Sequence, residues 1–598
     1  MGIPRFFYWL YKEYPYVLTK IQDKETFLKH RINVDTYALD LNAIVHPICQ
    51  QVFNYGQYKN GINNSFKSLM HDKDKNNKKD KNDKKYKLIE EYPSKRIECY
   101  NKICEKIDEL VNIVNPKNKI ILALDGTAGM SKQYQQRQRR YRAIIEKQLL
   151  LNENEDYKYK FDENINETFD SNEITTGSIF MNELSQCITE FIKYKIKNND
   201  WKHLDIYFSS EQVEGEGEHK IIHLLKKYSS FGSYCIHSPD ADLIMLSLSS
   251  LCTHQFKNCY ILRENIYQYV NCKYFVVNVN LFYDIIINKF KTYMINGKKQ
   301  EIISDFIFYC LFFGNDFLPE IPVIITNKSG IDILFTLYND TLINSGTLTT
   351  IKNNKVVLNI DSCIYFFEQL SKNEELLLKN KLNLNKTNEN CDNNQKCDFD
   401  LNEYKLKFYK DKFNFDIKDP IILKKQINNL CKEYLKGTQF VLSYYLYDIP
   451  DWYWFYPFHY SPFFSDIYEY LKYLKSEENT QKINKTLSFK FEKNEPLTPF
   501  EQLLAVLPPE SSNILPKPFS ELMTSKESDI INFYPDTSSI KVEIKSEYEK
   551  TILVPFIDVK LLRKTFKKIL ENNNNLTEEE LNRNKFKTTI TYINTTTY

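Results

Sequence analysis

Short apolar runs alternate along the first half of the chain with segments in which apolar residues recur every three or four positions. The runs, which predict strands, cover residues 34–40, 119–125, 204–209 and 234–238. The periodic segments, which predict helices, include residues 1–30, 94–114, 220–227 and 243–248. Strands that alternate with helices predict an α/β fold, in which helices flank a parallel sheet.

Acidic residues follow these predicted strands closely. In a parallel sheet the carboxyl ends of the strands meet at one edge, where ligands bind. The acids that fall at strand ends, in the turns just beyond, or after the predicted buried helix 305–313 are Asp40, Asp125, Glu216, Glu218, Asp240, Asp242 and Asp316. Solvated acidic loops are the alternative, but so many like charges in one place need a counter-ion, and we therefore expect a metal cluster.

Seven carboxylates suit Mg²⁺ or Mn²⁺, because these ions prefer oxygen ligands. Two such ions about 3.5–4 Å apart clamp the attacking and leaving oxygens during phosphodiester cleavage. The sequence therefore predicts a two-metal site that needs no nucleophilic Ser or Cys. His219 and Lys220 come directly after two of the acids and are weaker candidates. For His219 we expect a supporting or structural role.

A basic helix is predicted over residues 131–142, directly after the second acidic strand end. Its Lys132, Gln136, Arg139 and Arg140 are spaced at i, i+4, i+7 and i+8 and so share one face. Arginine binds phosphate with a bidentate fork, and lysine adds a point charge. A solvated charged helix would show the same spacing. The position beside an acidic strand end favours a phosphate pocket next to the metals.

The second half of the chain has a different composition. Residues 448–463 are dense in aromatic residues and prolines, which predicts an irregular segment. Trp452, Trp454 and His46 are candidates for stacking on nucleic-acid bases. Core packing is the commoner fate of an aromatic side chain, so that alternative stays open for each of them.

Polar, low-complexity stretches divide the chain. We expect residues 71–87 to be a disordered charged insert and residues 152–168 to be an acidic loop. A chain of 598 residues is too long for one ordinary domain. We expect an α/β domain over residues 1–345, a polar linker or variable region over 346–400, and an aromatic-rich, helical or mixed region over 401–598 that completes the active-site pocket.

Composition narrows the function classes. Lys and Arg (80) nearly balance Asp and Glu (78), so any site for nucleic acid must be local. The 13 cysteines include no CxxC pair, which argues against a zinc ribbon and favours reduced thiols in an intracellular compartment. The amino-terminal apolar run is too short for a signal peptide, and the most apolar stretch, residues 306–313, is too short to span a membrane.

A series of short motifs stands in a fixed order along the chain. They are Met1–Pro4, Leu39–His46, Asp125-Gly126, Gln135–Arg142, Phe169–Thr175, Gly215–Ile221, Asp240–Leu246, Gly314–Pro319, Tyr456–Pro462 and Pro499–Leu503. In this order they resemble the motifs of the 5′→3′ exoribonuclease family, the Xrn, Pacman and Rat-type enzymes, and the resemblance runs from residue 1 to about residue 590. It implies a PIN/FEN-like sheet with an aromatic-rich second region packed against it.

The same resemblance implies processive removal of nucleotides from single-stranded RNA that bears a 5′ monophosphate. The family's metal acids map onto the seven carboxylates above, and its 5′-phosphate pocket maps onto the four residues of the basic helix. His46 and one of Trp452 and Trp454 would stack on the leading bases. Also implied are a monomer, decapping or RNA-processing partners, and a place in the cytoplasm or, alternatively, the nucleus.

Three departures from the family pattern are visible. Gly129 and Met130 stand where the family carries Pro-Arg, at the narrow entrance through which structured RNA is unwound. Glu214 replaces a proline before the Gly-Glu-Gly-Glu turn. The chain has no long extension after residues 576–580, so it resembles a compact catalytic core. A structure-specific 5′ nuclease acting on DNA and a non-catalytic RNA-binding scaffold are the alternative functions.

Overall fold

An eight-stranded sheet is the centre of the computed structural model. The structure describes residues 5–55, 94–153, 169–228, 231–254, 256–267, 269–290, 298–324, 328–388, 400–477, 485–544, 550–572 and 576–593. The strands are β1 (Leu18–Ile21), β2 (Thr36–Asp40), β3 (Lys119–Ala123), β4 (Asp205–Ser209), β5 (Ser233–His237), β6 (Asn258–Glu264), β7 (Tyr274–Asn278), β8 (Thr349–Lys352), β9 (Lys355–Asn359), β10 (Thr486–Leu487), β11 (Val542–Ile544), β12 (Lys550–Ile552) and β13 (Ile590–Tyr592). The order in the large sheet is β1-β7-β6-β5-β2-β3-β4-β13.

The centre of this sheet is parallel, as predicted, and its edges are not. Strands β6, β5, β2, β3 and β4 run parallel to one another. Strands β7, β1 and β13 are antiparallel to their neighbours and make the whole sheet mixed. The expectation of a helix through residues 1–30 is wrong in part, because β1 interrupts it. Thr19 and Ile21 of β1 are β-branched, and such residues suit an edge strand that pairs with a buried neighbour.

Helices flank the sheet, and we number them in chain order. They are α1 (Phe6–Glu13), α2 (Lys24–Lys29), α3 (Asn42–Phe53), α4 (Ser94–Val114), α5 (Met130–Glu153), α6 (Ile179–Lys197), α7 (Gly217–Tyr228), α8 (Asp242–Thr253), α9 (Val279–Lys289), α10 (Lys299–Cys310), α11 (Lys328–Asn344), α12 (Ile360–Asn388), α13 (Leu401–Phe413), α14 (Pro420–Leu446), α15 (Phe464–Glu477), α16 (Pro499–Val506), α17 (Lys517–Thr524), α18 (Val559–Asn572) and α19 (Glu578–Arg583).

The two faces of the sheet carry separate apolar cores. Helices α4 and α6 pack on one face through residues such as Ile103 and Phe180. Helices α7 and α8 pack on the other face through residues such as Leu225 and Ile244. Because both faces are buried, the central strands are apolar along their whole length. This explains why the apolar runs predicted β2, β3, β4 and β5 to within two residues at each end; β6, the fifth parallel strand, was not predicted.

Residues 349–388, which we expected to lie in a polar linker, are ordered. Strands β8 and β9 pair in antiparallel fashion, and α12 follows them directly. Phe366, Phe367 and Leu370 of α12 are fully buried, and Phe367 contacts Phe464 of α15. The polar composition of the stretch belongs to the solvent face of an amphipathic helix, so the linker expectation does not hold for these residues.

The second half of the chain packs against the edge of the sheet that carries the acids. The end of α14 brings Tyr444 and Tyr445 to this edge, and the segment 447–463 that follows has no regular secondary structure, as predicted. At the far side of the sheet, β13 pairs with β4. The aromatic-rich region and the α/β region therefore share one sheet and one site.

Two of the predicted segments lie outside the described residues. They are the charged insert 71–87 and most of the acidic loop, residues 154–168; residues 152 and 153 are the end of α5. Among the described helices, none is long and apolar enough to cross a membrane.

Candidate active site

All of the acids predicted for the metal cluster lie at the carboxyl edge of the parallel strands. Asp40 is the last residue of β2, and Asp125 follows β3 by two residues. Asp240 lies in the turn that follows β5, and Asp242 is the first residue of α8. The remaining three acids lie at the start of α7 or in the loop after α10; they are Glu216, Glu218 and Asp316. The structure thus brings the seven predicted carboxylates together.

Hydrogen bonds from the backbone fix two of these carboxylates. Oδ1 of Asp125 accepts from the amide of Gly217 at 2.7 Å, and the amide of Asp125 donates to Oδ1 of Asn42 at 3.0 Å. The amide of Asn42 in turn donates to Oδ1 of Asp40 at 3.2 Å. A Cβ atom at position 217 would lie only 3.1 Å from Oδ1 of Asp40. Glycine therefore lets the start of α7 approach both acids.

Ser238 links Asp40 to two further acids, and our sequence analysis missed it. Its hydroxyl donates to Oε1 of Glu218 at 2.8 Å, lies 3.4 Å from Oδ2 of Asp40, and accepts from the amide of Asp240 at 3.2 Å. The available signal was its position, since it is the first residue after β5 and stands two residues before an acid.

Burial and crowding oppose full ionisation of the cluster. Burial, reinforced by Asp125 and Asp240, raises the pKa of Asp40 well above its ordinary value. Burial and the neighbouring carboxylates do the same to the pKa of Glu218. Burial and the charge of Asp316 raise the pKa of Asp242 to about 7, and Oδ1 of Asp242 is buried without a hydrogen-bond partner. Such a cluster is stabilised by a nearby cation.

Lys132 supplies one such cation, which is not the role predicted for it. Its Nζ lies 2.6 Å from Oε2 of Glu216 and 2.6 Å from Oδ2 of Asp316. Burial alone would raise the pKa of Asp316, but the ammonium of Lys132 holds it below its ordinary value. The predicted phosphate ligand is thus paired with two of the predicted metal ligands.

The donor set suits a divalent metal ion, because it offers carboxylate oxygens and one of them, Oδ1 of Asp242, has no partner. As the described side chains stand, no group of three or more His, Cys, Asp or Glu is arranged to hold a metal ion. The ammonium of Lys132 lies between two of the acids and balances part of their charge. Lys132 would have to leave at least one of these acids before that acid could bind a metal.

The rest of the predicted phosphate pocket lies on α5 beside the acids. Arg139 is exposed, and Oε1 of Gln136 is buried without a partner. Nη1 of Arg140 donates to the carbonyl of Asn172 at 2.9 Å, while its Nε has no partner. Burial and the charge of Arg139 lower the pKa of Arg140 to about 10. Two adjacent guanidiniums with unused donors are a suitable site for an anion.

His46 lies next to this pair of guanidiniums. Burial and the charges of Arg139 and Arg140 lower the pKa of His46 to about 3. The imidazole is therefore neutral at physiological pH. A neutral ring can stack on a base and adds no positive charge beside the two guanidiniums.

The two tryptophans differ in their surroundings. Trp454 is 8% exposed and packs against Phe440 at a ring-centroid distance of 4.5 Å. It belongs to the core, the alternative that the sequence left open for it, so Trp452 is the member of the pair that stays a candidate for stacking on bases. Trp452 is only half-buried, and its carbonyl accepts from the amide of Met130 at 2.9 Å. This bond ties the aromatic segment to the start of α5.

Gly129, one of the departures from the family pattern, lies against the end of one side chain of the aromatic segment. A Cβ atom there would lie 2.5 Å from Cδ1 of Ile449. A side chain at position 129 would therefore require the terminal methyl of Ile449 to shift.

Tyr444 is a further residue that our sequence analysis missed. Its hydroxyl donates to Oε1 of Glu216 at 2.6 Å, and its ring lies 3.7 Å from the imidazole of His219. Both ring nitrogens of His219 lack a partner, and burial lowers its pKa to about 4. His219 therefore packs as a neutral ring. No local pattern signals the role of Tyr444, since it lies 228 residues from Glu216 in the chain.

Lys220 has a structural role at the end of the sheet. Its Nζ donates to the carbonyls of Leu124 at 2.7 Å and Ser210 at 2.8 Å, which follow β3 and β4. Burial lowers its pKa to about 7. Lys220 therefore joins the carboxyl ends of two strands directly below the acids.

Curated relatives share most of this chain's length. A Homo sapiens protein named 5′-3′ exoribonuclease 1 is 27% identical over 680 residues, which cover 98% of this chain and 35% of the relative. The proteins of the same name from Schizosaccharomyces pombe and Saccharomyces cerevisiae are 25% and 26% identical, over 98% of this chain and 50% and 44% of their own lengths. The chain spans half or less of the length of these relatives.

Family models cover the described site and both halves of the chain. The model described as the XRN 5′-3′ exonuclease N-terminus matches residues 1–75 and 62–265. The model described as the Xrn1 helical domain matches residues 297–403 and 399–598. The first match contains six of the seven clustered acids, and the second contains Asp316, Tyr444 and Trp452. The chain therefore belongs to the XRN 5′-3′ exonuclease family.

Proposed function

We propose that this chain is a processive 5′→3′ exoribonuclease that hydrolyses single-stranded RNA bearing a 5′ monophosphate, with two Mg²⁺ or Mn²⁺ ions as cofactors. The observation that carries the proposal is the juxtaposition of crowded carboxylates with the guanidiniums of Arg139 and Arg140. The family membership and the names of the relatives support it.

The carboxylates would hold the two ions, which when bound stabilise negative charge on the attacking and leaving oxygens. Oxygen ligands are what these ions prefer. Hydrogen bonds within the protein orient these carboxylates. Ser238 donates to Glu218, and the amide of Gly217 donates to Asp125. Tyr444 donates to Glu216.

The 5′-terminal phosphate would bind at Gln136, Arg139 and Arg140. Arg140 is anchored through Nη1 to Asn172 and leaves Nε for a ligand. Lys132 stands between this pocket and the acids, so it would exchange a carboxylate partner for a phosphate. A cap turns the terminal phosphate into a bridging group of lower charge, which weakens charge-assisted pairing with the guanidiniums.

Base stacking would hold the leading nucleotides. The neutral ring of His46 lies beside the pocket, and Trp452 is the half-buried tryptophan of its pair. Such stacking contributes about 1–3 kcal/mol per base without regard to sequence. Stacking that is tolerant of sequence, combined with a pocket for the terminal phosphate, suits stepwise removal of nucleotides from the 5′ end. We further propose that the protein acts as a monomer in the cytoplasm or the nucleus, on RNA that decapping or processing enzymes supply.

The test compares one RNA with three 5′ ends: monophosphate, hydroxyl and cap. With Mg²⁺, we expect rapid degradation of the monophosphate form alone. Asp240→Ala should abolish degradation, and the matched control Glu214→Ala, which changes an exposed acid in a neighbouring turn, should leave it intact. Equal degradation of all three RNAs would contradict the assignment of the 5′-phosphate pocket. An active Asp240→Ala variant would contradict the assignment of the acids as metal ligands.

The same assay separates the alternatives. Faster cleavage of a branched DNA than of the RNA would identify a structure-specific 5′ nuclease. Tight binding of RNA that is independent of metal and is not followed by turnover would identify a non-catalytic scaffold.

A further inference from the structure

Arg263 is a buried guanidinium at the same edge of the sheet as the acids. It is the last residue but one of β6 and is 6% exposed. His237 pairs with Leu262, and the amide of Ser238 donates to the carbonyl of Leu262 at 3.3 Å, so Arg263 lies beside Ser238. Paired residues on neighbouring strands project to the same face. Arg263 is therefore one strand spacing, about 5 Å, from the backbone that carries the acids.

The guanidinium of Arg263 lacks the partners that such a group normally has. Among the described residues, neither its Nε nor its Nη1 finds a hydrogen-bond acceptor. Its carbon lies 3.6 Å from the ring centroid of Phe7, which covers one face of the group. Burial lowers the pKa of Arg263 to about 10, although the nearby Tyr267 and Asp240 act to raise it. A buried cation with unused donors is costly unless a ligand completes it, and the fork of arginine matches a phosphate.

An aromatic shelf lies next to this guanidinium. We define the shelf as Tyr8, Tyr11, Tyr267 and Tyr269. The ring of Tyr267 lies 6.2 Å from that of Tyr8, 5.5 Å from that of Tyr11 and 5.7 Å from that of Tyr269. Tyr269 is 66% exposed and Tyr8 is 45% exposed, and Nζ of Lys12 lies 5.5 Å from the ring centroid of Tyr8.

The segment after β6 that carries half of the shelf is held by the side chain of Asn265 and by backbone hydrogen bonds, such as that from the amide of Val270 to the carbonyl of Tyr267 at 3.0 Å. Its Nδ2 donates to the carbonyls of Val270 at 2.8 Å and Cys272 at 2.9 Å, and its Oδ1 accepts from the amide of Tyr267 at 2.8 Å. These bonds restrain Tyr267, Val270 and Cys272 without help from a ligand. The exposed ring of Tyr269 is thus presented by a built turn, directly beyond the strand that carries Arg263.

We propose that Arg263 and the aromatic shelf form a second RNA-binding site, in which the guanidinium binds a backbone phosphate and the exposed rings stack on bases. The inference rests on the proposed function for the identity of the ligand, single-stranded RNA. Cations interleaved with exposed aromatic rings are what single-stranded nucleic acid requires. The site is separate from the candidate 5′-phosphate pocket, because β5, β2 and β3 lie between β6 and the start of α5.

The test measures RNA binding without metal, in EDTA, for the full chain. A twelve-nucleotide RNA with a 5′ hydroxyl and the same RNA with a 5′ monophosphate are the two probes. Arg263→Gln should weaken the binding of both by the same factor, about tenfold, and should lower the slope of log Kd against log salt by about 0.7. Arg140→Gln should instead weaken only the monophosphate form.

The shelf is tested by Tyr269→Ala, which should raise the dissociation constants of both RNAs by about fivefold or more. Its matched control is Phe231→Ala. Phe231 is 70% exposed but stands before β5, at the opposite edge of the sheet. This control should leave both dissociation constants unchanged.

Several outcomes would overturn the proposal. One is unchanged binding by Arg263→Gln, and another is a loss confined to the monophosphate RNA, which would place Arg263 in the terminal pocket. Arg263→Lys keeps the charge without the fork, so it should fold and bind with intermediate affinity. If both Arg263 variants fail to fold, the guanidinium is structural and the proposal falls. Wild-type protein that binds neither RNA would refute the proposed function itself. That outcome is distinct from a failure of the second site, in which wild-type protein binds RNA and Arg263→Gln binds it equally well.

Discussion

Two regions of the molecule bury carboxylates, and they treat them differently. Asp305 in α10 accepts four hydrogen bonds, from the amide of Leu348 at 2.8 Å, the amide of Thr349 at 2.8 Å, the hydroxyl of Thr349 at 2.5 Å and the hydroxyl of Tyr338 at 2.7 Å. In the acid cluster, Oδ1 of Asp242 is buried with no partner.

This contrast separates a structural acid from a functional one. Around Asp305 the protein supplies donors for both oxygens, so the carboxylate fastens β8 to α10 and needs nothing more. In the cluster the protein supplies like charges, one lysine and a few donors, so the carboxylates remain incompletely satisfied. Burial alone does not distinguish the two regions, whereas the completeness of the hydrogen bonds does.

The largest expected effect concerns the structural acid. Asp305→Asn should lower the free energy of unfolding by about 3 kcal/mol, because an amide cannot accept from all four donors and leaves some of them buried without partners. Denaturant unfolding followed by circular dichroism measures this loss. The loss should be equal with and without Mg²⁺; a loss that appears only with Mg²⁺ would break the comparison.

The acid cluster should respond in the opposite direction. In EDTA at about pH 8, Asp242→Asn should raise the free energy of unfolding by about 2 kcal/mol, because it removes one buried like charge. Thermal unfolding of the same variant should also show a smaller rise in Tm on addition of Mg²⁺ than wild type shows. A destabilised variant in EDTA would mean that Asp242 is a structural acid like Asp305.

The pH dependence of stability should show the same repulsion between buried carboxylates. The pKa values of Asp40, Glu218 and Asp242 are raised on folding, so these groups stabilise the folded state below about pH 4. This contribution is lost as the pH rises through the folded pKa values, which for Asp242 is about 7. In EDTA, Tm should therefore fall between about pH 5 and pH 8. Mg²⁺ should reverse the part of the fall that comes from the cluster. The part that comes from Asp305, whose pKa burial also raises to about 7, should remain. A profile that does not change with Mg²⁺ would contradict the metal site.

The smallest expected effect distinguishes two neighbouring tyrosines of α14. Tyr444 donates to Glu216, whereas the hydroxyl of Tyr445 is buried without a partner. Tyr444→Phe should raise the Mg²⁺ concentration needed for half-maximal stabilisation by about threefold to tenfold, since a hydrogen bond to a charged group is lost. Tyr445→Phe is the matched control and should leave this concentration unchanged. If both variants raise this Mg²⁺ concentration equally, the effect comes from altered packing of the tyrosine rings and not from the orientation of the Glu216 carboxylate.

The strands and the positions of the acids could be predicted because both depend on local sequence. A buried parallel strand is apolar along its length, and its end is marked by the first acid that follows, as at Asp40. In a parallel sheet the carboxyl ends of neighbouring strands lie at the same edge, so the acids that follow them meet there. The structure confirms the predicted parallel centre of the sheet. Four strands of the large sheet were not predicted: β1, β6, β7 and β13. For the edge strands β1 and β13, the reason is that each depends on a partner far away in the chain.

Side-chain partners could not be predicted in the same way. The spacing of Lys132 shows which face of α5 it occupies, but it does not show that Glu216 and Asp316 lie opposite. Trp452 and Trp454 are two residues apart in an irregular segment, so periodicity could not decide which ring enters the core. Tyr444 reaches Glu216 only through the folding of the second half of the chain against the sheet.

The pairing of β13 with β4 has a consequence for biosynthesis. Residues 590–592 must be made before the outer edge of β4 is covered, although β4 itself ends at residue 209. A nascent chain therefore holds an open sheet edge for several hundred residues of translation, and open edges invite pairing with other chains. Such late closure raises the contact order, which slows folding. We expect chaperone binding during synthesis to concentrate on this edge.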